Sequence, residues 1–340
     1  MGRESVKVAV LGATGAVGRE MLRELELGGW RNVRALASAR SAGQRLPFAG
    51  GELVVEEVRP ESFAGVQVAL FSAGGDRSKQ WAPIAKEQGA VVIDNSSAWR
   101  MDPEVPLVVP EVNPDALAAH RGIIANPNCS TIQMVLPLEA LRRAVGIERV
   151  VVSTYQSASG AGQQGVDELR AGLRALVAGH EVPHRTFARP LAGDCVPHIG
   201  SFEASGYTNE ELKMVYETRK ILSLPALEVS ATCVRVPVER VHQEAVTVDL
   251  GAAIEAEEAR RLFAEMPGLE VLDVPERNVY PMARDAVGRH ETYVGRIRRD
   301  VTRPATLHFW VVSDNLLKGA AWNAVQIADA LYDQGGLREA

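Results

Sequence analysis

The sequence predicts an α/β chain in two parts: a doubly wound domain of parallel strands, then an α+β domain built on a mixed sheet. Three observations predict this. An apolar strand, Val6–Leu11, runs through a glycine turn into an amphipathic helix beginning near Ala16. Short apolar runs then alternate with helical stretches, the pattern of a parallel sheet covered on both faces. From Leu227 the strands lengthen and alternate polar with apolar residues, as in "LEVSATCVRVPV" and "ATLHFWVVSDN", which suits an antiparallel or mixed sheet with one covered face.

The first turn sets the first expectation. Gly12, Gly15 and Gly18 follow a G-x-x-G-x-x-G spacing between strand and helix. Such a turn lets backbone approach a pyrophosphate closely and aims a helix N-terminus at the anion. Gly12, Thr14, Gly15, Ala16, Val17 and Gly18 are therefore expected to hold a dinucleotide; the alternative is a turn with a purely structural role. The next strand, Val33–Ala37, ends in Ser38-Ala39-Arg40-Ser41. A protein choosing NAD commonly places Asp or Glu there for the ribose 2′-hydroxyl. Ser38, Arg40 and Ser41 instead suit a 2′-phosphate, so NADP is the expected cofactor, against a reading of Arg40 as a solvated loop residue. Val66–Phe71 ends in Ser72-Ala73-Gly74-Gly75, and Ala90–Ile93 in Asp94-Asn95-Ser96, with a helix over Ser78–Gln88 between them. Ligands of doubly wound sheets sit beyond the carboxyl ends of strands, which adds Ser72 and Gly74 to this Rossmann-type site.

"IANPNCSTIQ" raises a different chemistry. Cys129 stands at a turn just where an apolar helix begins. It is either a small buried hydrophobe or a nucleophile, since a helix N-terminus favours the thiolate. Beyond it come a strand and Gly/Ser loop ("RVVVSTYQSASGAGQQG"), a helix over Val166–Ala178, and an arm over residues 179–207 rich in Pro, Gly and His. The final helix, within "NLLKGAAWNAVQIADAL", is expected to return to the nucleotide domain. The expected division is 1–128, completed by 313–340, for the NADP-binding domain, and 129–312 for the catalytic and dimerisation domain. "HEVPH" (His180–His184) fits a zinc signature, but that chemistry needs one continuous helix and Pro183 disfavours it, so no metal site is expected.

Composition bounds the partners. A net charge of −6 over 340 residues argues against nucleic-acid or membrane-surface binding, and no apolar run is long enough to span a bilayer. Three scattered cysteines without a CxxC suit a reducing compartment, and a cytoplasmic location is expected.

Six motifs in order, "GATGAVG", "SSAWRMD", "NPNCSTIQ", "YQSASGAG", "NEELKMVYETRKI" and "RVPVERVH", resemble aspartate-β-semialdehyde dehydrogenases from first strand to last helix. The resemblance implies reversible, NADPH-dependent reduction of β-aspartyl phosphate to aspartate semialdehyde and phosphate, through a thioester on Cys129. This step serves the biosynthesis of lysine, threonine, methionine and isoleucine. It further implies that Asn128 helps the oxyanion, Gln156 orients the substrate, and His242 is the acid/base. Arg235 would take the α-carboxylate, Glu210 the amino group, and Arg100 with Lys213 the phosphate. Ser159, Gly160 and Asn315 would touch the nicotinamide, and a homodimer or dimer of dimers is implied.

These roles make chemical sense on their own terms. A thiol needs a base, and histidine is poised near neutrality. The oxyanion needs donors in place, and a carboxylate is best gripped by a guanidinium fork. Arg235 and His242 would face opposite ways on one unbroken strand, so a turn at Pro237 and Glu239-Arg240 is expected. Thr208 and Glu211 read as a capping box, and Glu210 with Lys213 as either a site pair or a surface ion pair. The nearest rival is N-acetyl-γ-glutamyl-phosphate reductase, disfavoured because an acetylated amine gains little from Glu210. A cysteine hydrolase using Cys129 and His242 needs no dinucleotide turn, and a silent nucleotide-binding relative needs no thiol.

Overall fold

The computed structural model describes residues 2–337 and divides into two compact units, residues up to Asn128 with those from Ala320, and Cys129–Gly319. Residues 1 and 338–340, at the ends of the expected domain spans, lie outside the described residues.

The first unit carries a six-stranded parallel sheet and, apart from it, a two-stranded antiparallel hairpin. Its strands are β1 (Val8–Leu11), β2 (Val33–Ala37), a hairpin of β3 (Arg45–Phe48) and β4 (Gly51–Val54), then β5 (Glu56–Glu57), β6 (Val68–Phe71), β7 (Val91–Asp94) and β8 (Ile123–Ala125), with helices α1 (Ala16–Leu27) and α2 (Gly75–Glu87) between them. The order β5-β2-β1-β6-β7-β8 places β1 at the switch point, where the winding reverses. Every pair in this sheet is parallel, from Val8 opposite Val33 and Val68 to Ile93 opposite Ile124. β1, β6 and β7 are buried along their whole lengths, which is why they read as continuous apolar runs. The C-terminal helix, Trp322–Asp333, packs on α1 through Leu25, Ile327 and Leu331 and anchors Trp30 by a 3.1 Å bond to Asp329.

The second unit carries α3 (Cys129–Val145), β9 (Ile147–Gln156), α4 (Gln163–Val177), α5 (Asn209–Ile221), β10 (Glu228–Arg235), β11 (His242–Leu250), α6 (Ala256–Glu265), β12 (Leu269–Val271), the short α7 (Ala283–Ala286), β13 (Thr292–Arg299) and β14 (Thr306–Ser313). The sheet order is β10-β9-β11-β14-β13-β12, with β10–β9 and β12–β13 parallel and the rest antiparallel. This is a mixed sheet. β11 buries alternate residues, His242, Glu244 and Val246, under the almost wholly buried α3. Because β9 and β10 run one way and β11 the other, Gln156, Arg235 and the start of β11 at His242 all fall at one end of the sheet, beside Ser313 of β14.

One boundary differs from expectation. Residues 313–319 stay with the second unit, not the first. Ser313 completes β14 opposite His242, and the Asp314 carboxylate accepts Arg240 Nε at 2.8 Å and the Gly288 N–H at 2.8 Å. The "HEVPH" segment lies in irregular backbone past the end of α4, so its histidines do not share a helical face. No helix among the described residues is long and apolar enough to cross a membrane.

Candidate active site

In the first unit the glycine turn is shaped by close backbone approach. Gly12 has φ of +89°, and a Cβ there would sit 2.3 Å from the Ser72 carbonyl oxygen. At Gly18 a Cβ would sit 2.1 Å from the Gly12 carbonyl oxygen. Neither position tolerates a side chain, so β1, β6 and α1 meet main chain to main chain. Gly15 is the N-cap of α1 and supplies no side-chain cap, and Thr14, Ala16 and Val17 flank it. Gly74, at φ +88°, caps α2 in the same uncapped fashion beyond the end of β6. Backbone donors at a helix N-terminus with no side chain over them fit a pyrophosphate. Past β2, Ser38 and Ser41 bracket a short turn whose Arg40 is exposed and has no ion-pair partner among the described residues.

The predicted Arg100 is buried. Its Nε donates to the Asn126 carbonyl at 3.0 Å and its Nη2 to that of Asn95 at 2.8 Å. Asn126 in turn donates to the Asn95 side chain at 2.7 Å and accepts from Asn323 at 2.6 Å. Arg100 thus pins the Asn126-Pro127-Asn128 turn that leads to Cys129, with Asn128 itself buried.

In the second unit Cys129 is the first residue of α3 and is half-buried, whereas Cys233 is buried and Cys195 exposed. None of the three is in a disulfide. Burial pushes the Cys233 thiol up, and its Sγ packs 3.7 Å from Met214 Sδ, which marks it as a packing residue. Sequence reasoning missed the residue beside Cys129. A Cβ on Gly319 would stand 2.8 Å from Cys129 Cβ and 3.6 Å from Asn315 Cβ. Gly319→Ala must push the thiol aside, and we expect kcat to fall about 100-fold, as ångström-scale misplacement does, without loss of nucleotide binding.

The remaining predicted residues converge at the sheet end. Arg235 is buried, donates from Nη1 to the Ser157 carbonyl at 2.7 Å, and lies with its guanidinium 5.8 Å from the Phe187 ring. Burial lowers its proton affinity, and the charges of Glu210 and Cys129 oppose that. The 179–207 arm is fastened here, since Val196 and Arg235 exchange both backbone bonds, at 2.8 and 2.9 Å. Gln156 donates to Glu210 Oε1 at 3.4 Å, and Glu210 Oε2 meets Lys213 at 3.0 Å. Glu210 is buried, so this is no surface ion pair. Glu211 closes the capping box with Thr208, accepting its N–H at 2.7 Å.

His242 is fully buried, and its Nδ1 lies 3.1 Å from the Ser157 backbone nitrogen and 3.1 Å from Ser157 Oγ. Asn315 Oδ1 accepts the Val241 N–H at 2.9 Å and lies 3.1 Å from Ser159 Oγ and 3.3 Å from Ser157 Oγ. The expected turn between β10 and β11 is present, and Val241 enters it at φ +82°, strained for a β-branched residue. Gly160 leaves room that a Cβ would take, 2.6 Å from Arg235 Nη1 and 3.2 Å from His242 Nε2.

Two buried titratable groups on β11 oppose one another in pH dependence. Desolvation, reinforced by the Arg235 cation, pulls the His242 imidazole from 6.5 down to about 3. Burial pushes the Glu244 carboxyl well above its ordinary value; Gln133 of α3 faces it, in an alignment short of a full hydrogen bond. The unfolded chain protonates His242 below about 6.5, while the folded protein resists to about 3, so this residue costs stability as pH falls through that window. We expect His242→Gln to make the acid-side loss of stability shallower by up to about 1.4 kcal/mol per pH unit in urea titrations, and Glu244→Gln to act in the opposite sense above pH 4.5.

Two family models cover the chain: the NAD-binding domain of semialdehyde dehydrogenases matches residues 7–120, and their dimerisation domain matches 138–318. An aspartate-semialdehyde dehydrogenase of Bacillus subtilis is 50% identical over 343 residues, covering 97% of this chain and 98% of its own. The chain belongs to the aspartate-semialdehyde dehydrogenase family. Within the family, the Vibrio cholerae aspartate semialdehyde dehydrogenase II, solved in complex with ASA, superposes with a TM-score of 0.94 at 47% identity, covering 96% of this chain and 98% of that one. The Candida albicans member, solved with NADP, gives a TM-score of 0.75 at 26% identity, over 97% and 99% of the two chains. The chain is accordingly an oxidoreductase of the nicotinamide-dependent kind.

Proposed function

We propose that this protein oxidises aspartate β-semialdehyde to β-aspartyl phosphate, reversibly, with NADP and phosphate, through a thioester on Cys129. The observation that carries the reading is Cys129 opening α3, with Arg235, Glu210 and His242 gathered in the same unit at one end of its sheet. The half-buried thiol at a helix N-terminus supports a nucleophile. The Vibrio cholerae relative is solved in complex with ASA, and the Candida albicans member with NADP.

Gly12, Thr14, Gly15, Ala16, Val17, Gly18, Ser72 and Gly74 would hold the pyrophosphate, and Ser38, Arg40 and Ser41 the 2′-phosphate. Asn315, Ser159 and Gly160 are assigned to the nicotinamide end. The nicotinamide supplies, when bound, the acceptor for the hydride. The protein's own groups do the rest. Arg235 takes the α-carboxylate, Glu210 the ammonium, and Gln156 fixes the chain between them. Cys129 forms the carbon–sulfur bond, Asn128 meets the carbonyl oxygen, His242 is the acid/base, and Arg100 and Lys213 take the phosphate. We further propose a homodimer, cytoplasmic work, and a place in the synthesis of lysine, threonine, methionine and isoleucine.

Nicotinamide absorbance with each semialdehyde, phosphate and either cofactor tests this. We expect aspartate semialdehyde with NADP to be turned over fastest, and Arg40→Ala to raise KM for NADP about tenfold while sparing NAD. Faster turnover of N-acetylglutamate semialdehyde would overturn the substrate.

A further inference from the structure

Buried carboxylates elsewhere in the second unit are met by strong donors. Asp273 accepts Arg260 Nε at 2.8 Å, Glu139 accepts Arg142 and Arg143 at 2.6 Å each, and Glu211 accepts the backbone N–H of Thr208 at 2.7 Å and of Cys233 at 3.0 Å. Glu244 is different. Its side chain is wholly buried, and neither oxygen has a hydrogen-bond partner in place among the described residues. The groups around it are neutral. Thr154 stands opposite on β9, Val311 opposite on β14, and the Cys233 thiol beyond Thr154 on β10; His242 precedes it by two residues, and Gln133 faces it from α3. Only burial and Gln133 act on its titration, so no cation steadies an anion there. Gln133 is equally buried, and its amide oxygen and nitrogen are likewise unmatched.

The register of the two elements explains why these side chains meet. α3 and β11 begin with Cys129 and His242. Arg235 feels the charge of Cys129 and acts in turn on the His242 ring, so both elements start at the active-site end and run away from it. Gln133 lies four residues on from Cys129, about 6 Å along the same helix face. Glu244 lies two on from His242, about 6.5 Å along the same strand face. Two rungs thus cross from helix to strand one step apart: thiol and imidazole in front, amide and carboxyl behind.

We propose that Glu244 is a positioning residue that, as an un-ionised carboxylic acid, closes a reciprocal pair of hydrogen bonds with the Gln133 amide and so sets the spacing between Cys129 and His242. This rests on the reading of Cys129 as nucleophile and His242 as acid/base, and deepens it. The acid O–H donates to the amide oxygen, and the amide N–H donates to the acid carbonyl. An ionised carboxylate has no proton to give, and would leave the amide oxygen facing another lone pair in a dry interior. The neutral pair also keeps an anion away from His242, where it would strengthen the imidazole's hold on a proton. Proton transfer between thiol and imidazole needs hydrogen-bond reach, and the two groups sit on separate elements. The rung behind them ties those elements together. Its push toward the acid form comes from burial, the same cause that lifts the Glu244 carboxyl well above its ordinary value.

Infrared difference spectra of the wild type against Glu244→Gln, taken at neutral pH in light and heavy water, read the protonation state. We expect the carbonyl band of an un-ionised carboxylic acid, shifted in heavy water and missing from the variant. Loss of a carboxylate band in its place overturns the proposal. Kinetics read the spacing. The double variant Glu244→Leu with Gln133→Leu fills the same buried space without polar atoms and should keep its thermal midpoint. We expect its kcat to fall about tenfold, as small misplacements of reacting groups do, with KM for aspartate semialdehyde and for NADP unchanged. Glu244→Gln can still form a reciprocal pair with Gln133, and should keep kcat within about threefold and leave its pH profile in place. A stable double variant with wild-type kcat, a loss expressed in KM alone, or a Glu244→Gln profile displaced through neutral pH overturns the proposal. Failure of the nucleophile reading looks different: Cys129→Ser would keep its turnover while the infrared band stayed as expected.

Discussion

Cys129→Ser is expected to abolish dehydrogenase turnover, by at least about 10³-fold, while leaving NADP binding and thermal stability unchanged. The thiolate is far the better nucleophile, and a serine hydroxyl ionises far less readily than a thiol. The substitution changes one atom of a half-buried side chain, so packing around α3 should survive. Fluorescence titration with NADPH separates the two effects. A variant that turns over at a tenth of the wild-type rate would remove Cys129 from the chemistry.

Arg235→Lys is expected to be nearly as damaging, about 10²–10³-fold in kcat/KM for aspartate semialdehyde, expressed mainly in KM. The wild-type guanidinium already spends Nη1 on the Ser157 carbonyl and still has further donors for a carboxylate. A lysine ammonium cannot keep that bond and form a planar two-point grip as well. Steady-state kinetics with the semialdehyde and with an analogue lacking the α-carboxylate check the assignment. Equal losses on both substrates would show that Arg235 holds the arm and the Ser157 carbonyl but not the substrate.

Much of this architecture is legible in the residues. The glycine turn between an apolar strand and an amphipathic helix marks β1 and α1, because close backbone approach admits no side chain at Gly12 or Gly18. The change from continuous to alternating strands marks the mixed sheet, because only one face of β11 is covered by α3. Cys129 stands out because a thiol at the start of an apolar helix is unusual for packing alone. What stays hidden is relational. Gly319 matters through the position of Cys129, 190 residues away in sequence, and no local pattern announces that contact. Ser157 looks like one serine of a Gly/Ser loop; its backbone meets His242 and Arg235 from distant strands, which sequence does not show. The unit boundary near residue 319 depends on Asp314 being gripped by Arg240, a pairing across the fold. Glu244 reads as an ordinary alternating strand residue, yet its side chain is buried, which pushes its carboxyl well above the ordinary range.

The most direct test is the mass of the intact protein after aspartate semialdehyde and NADP are mixed with it, without phosphate, and quenched in acid. The account predicts a gain equal to one aspartyl acyl group, mapped by peptide analysis to Cys129 and discharged when phosphate is added. NADPH formed in an amount matching the enzyme, with no added mass on Cys129, would contradict it.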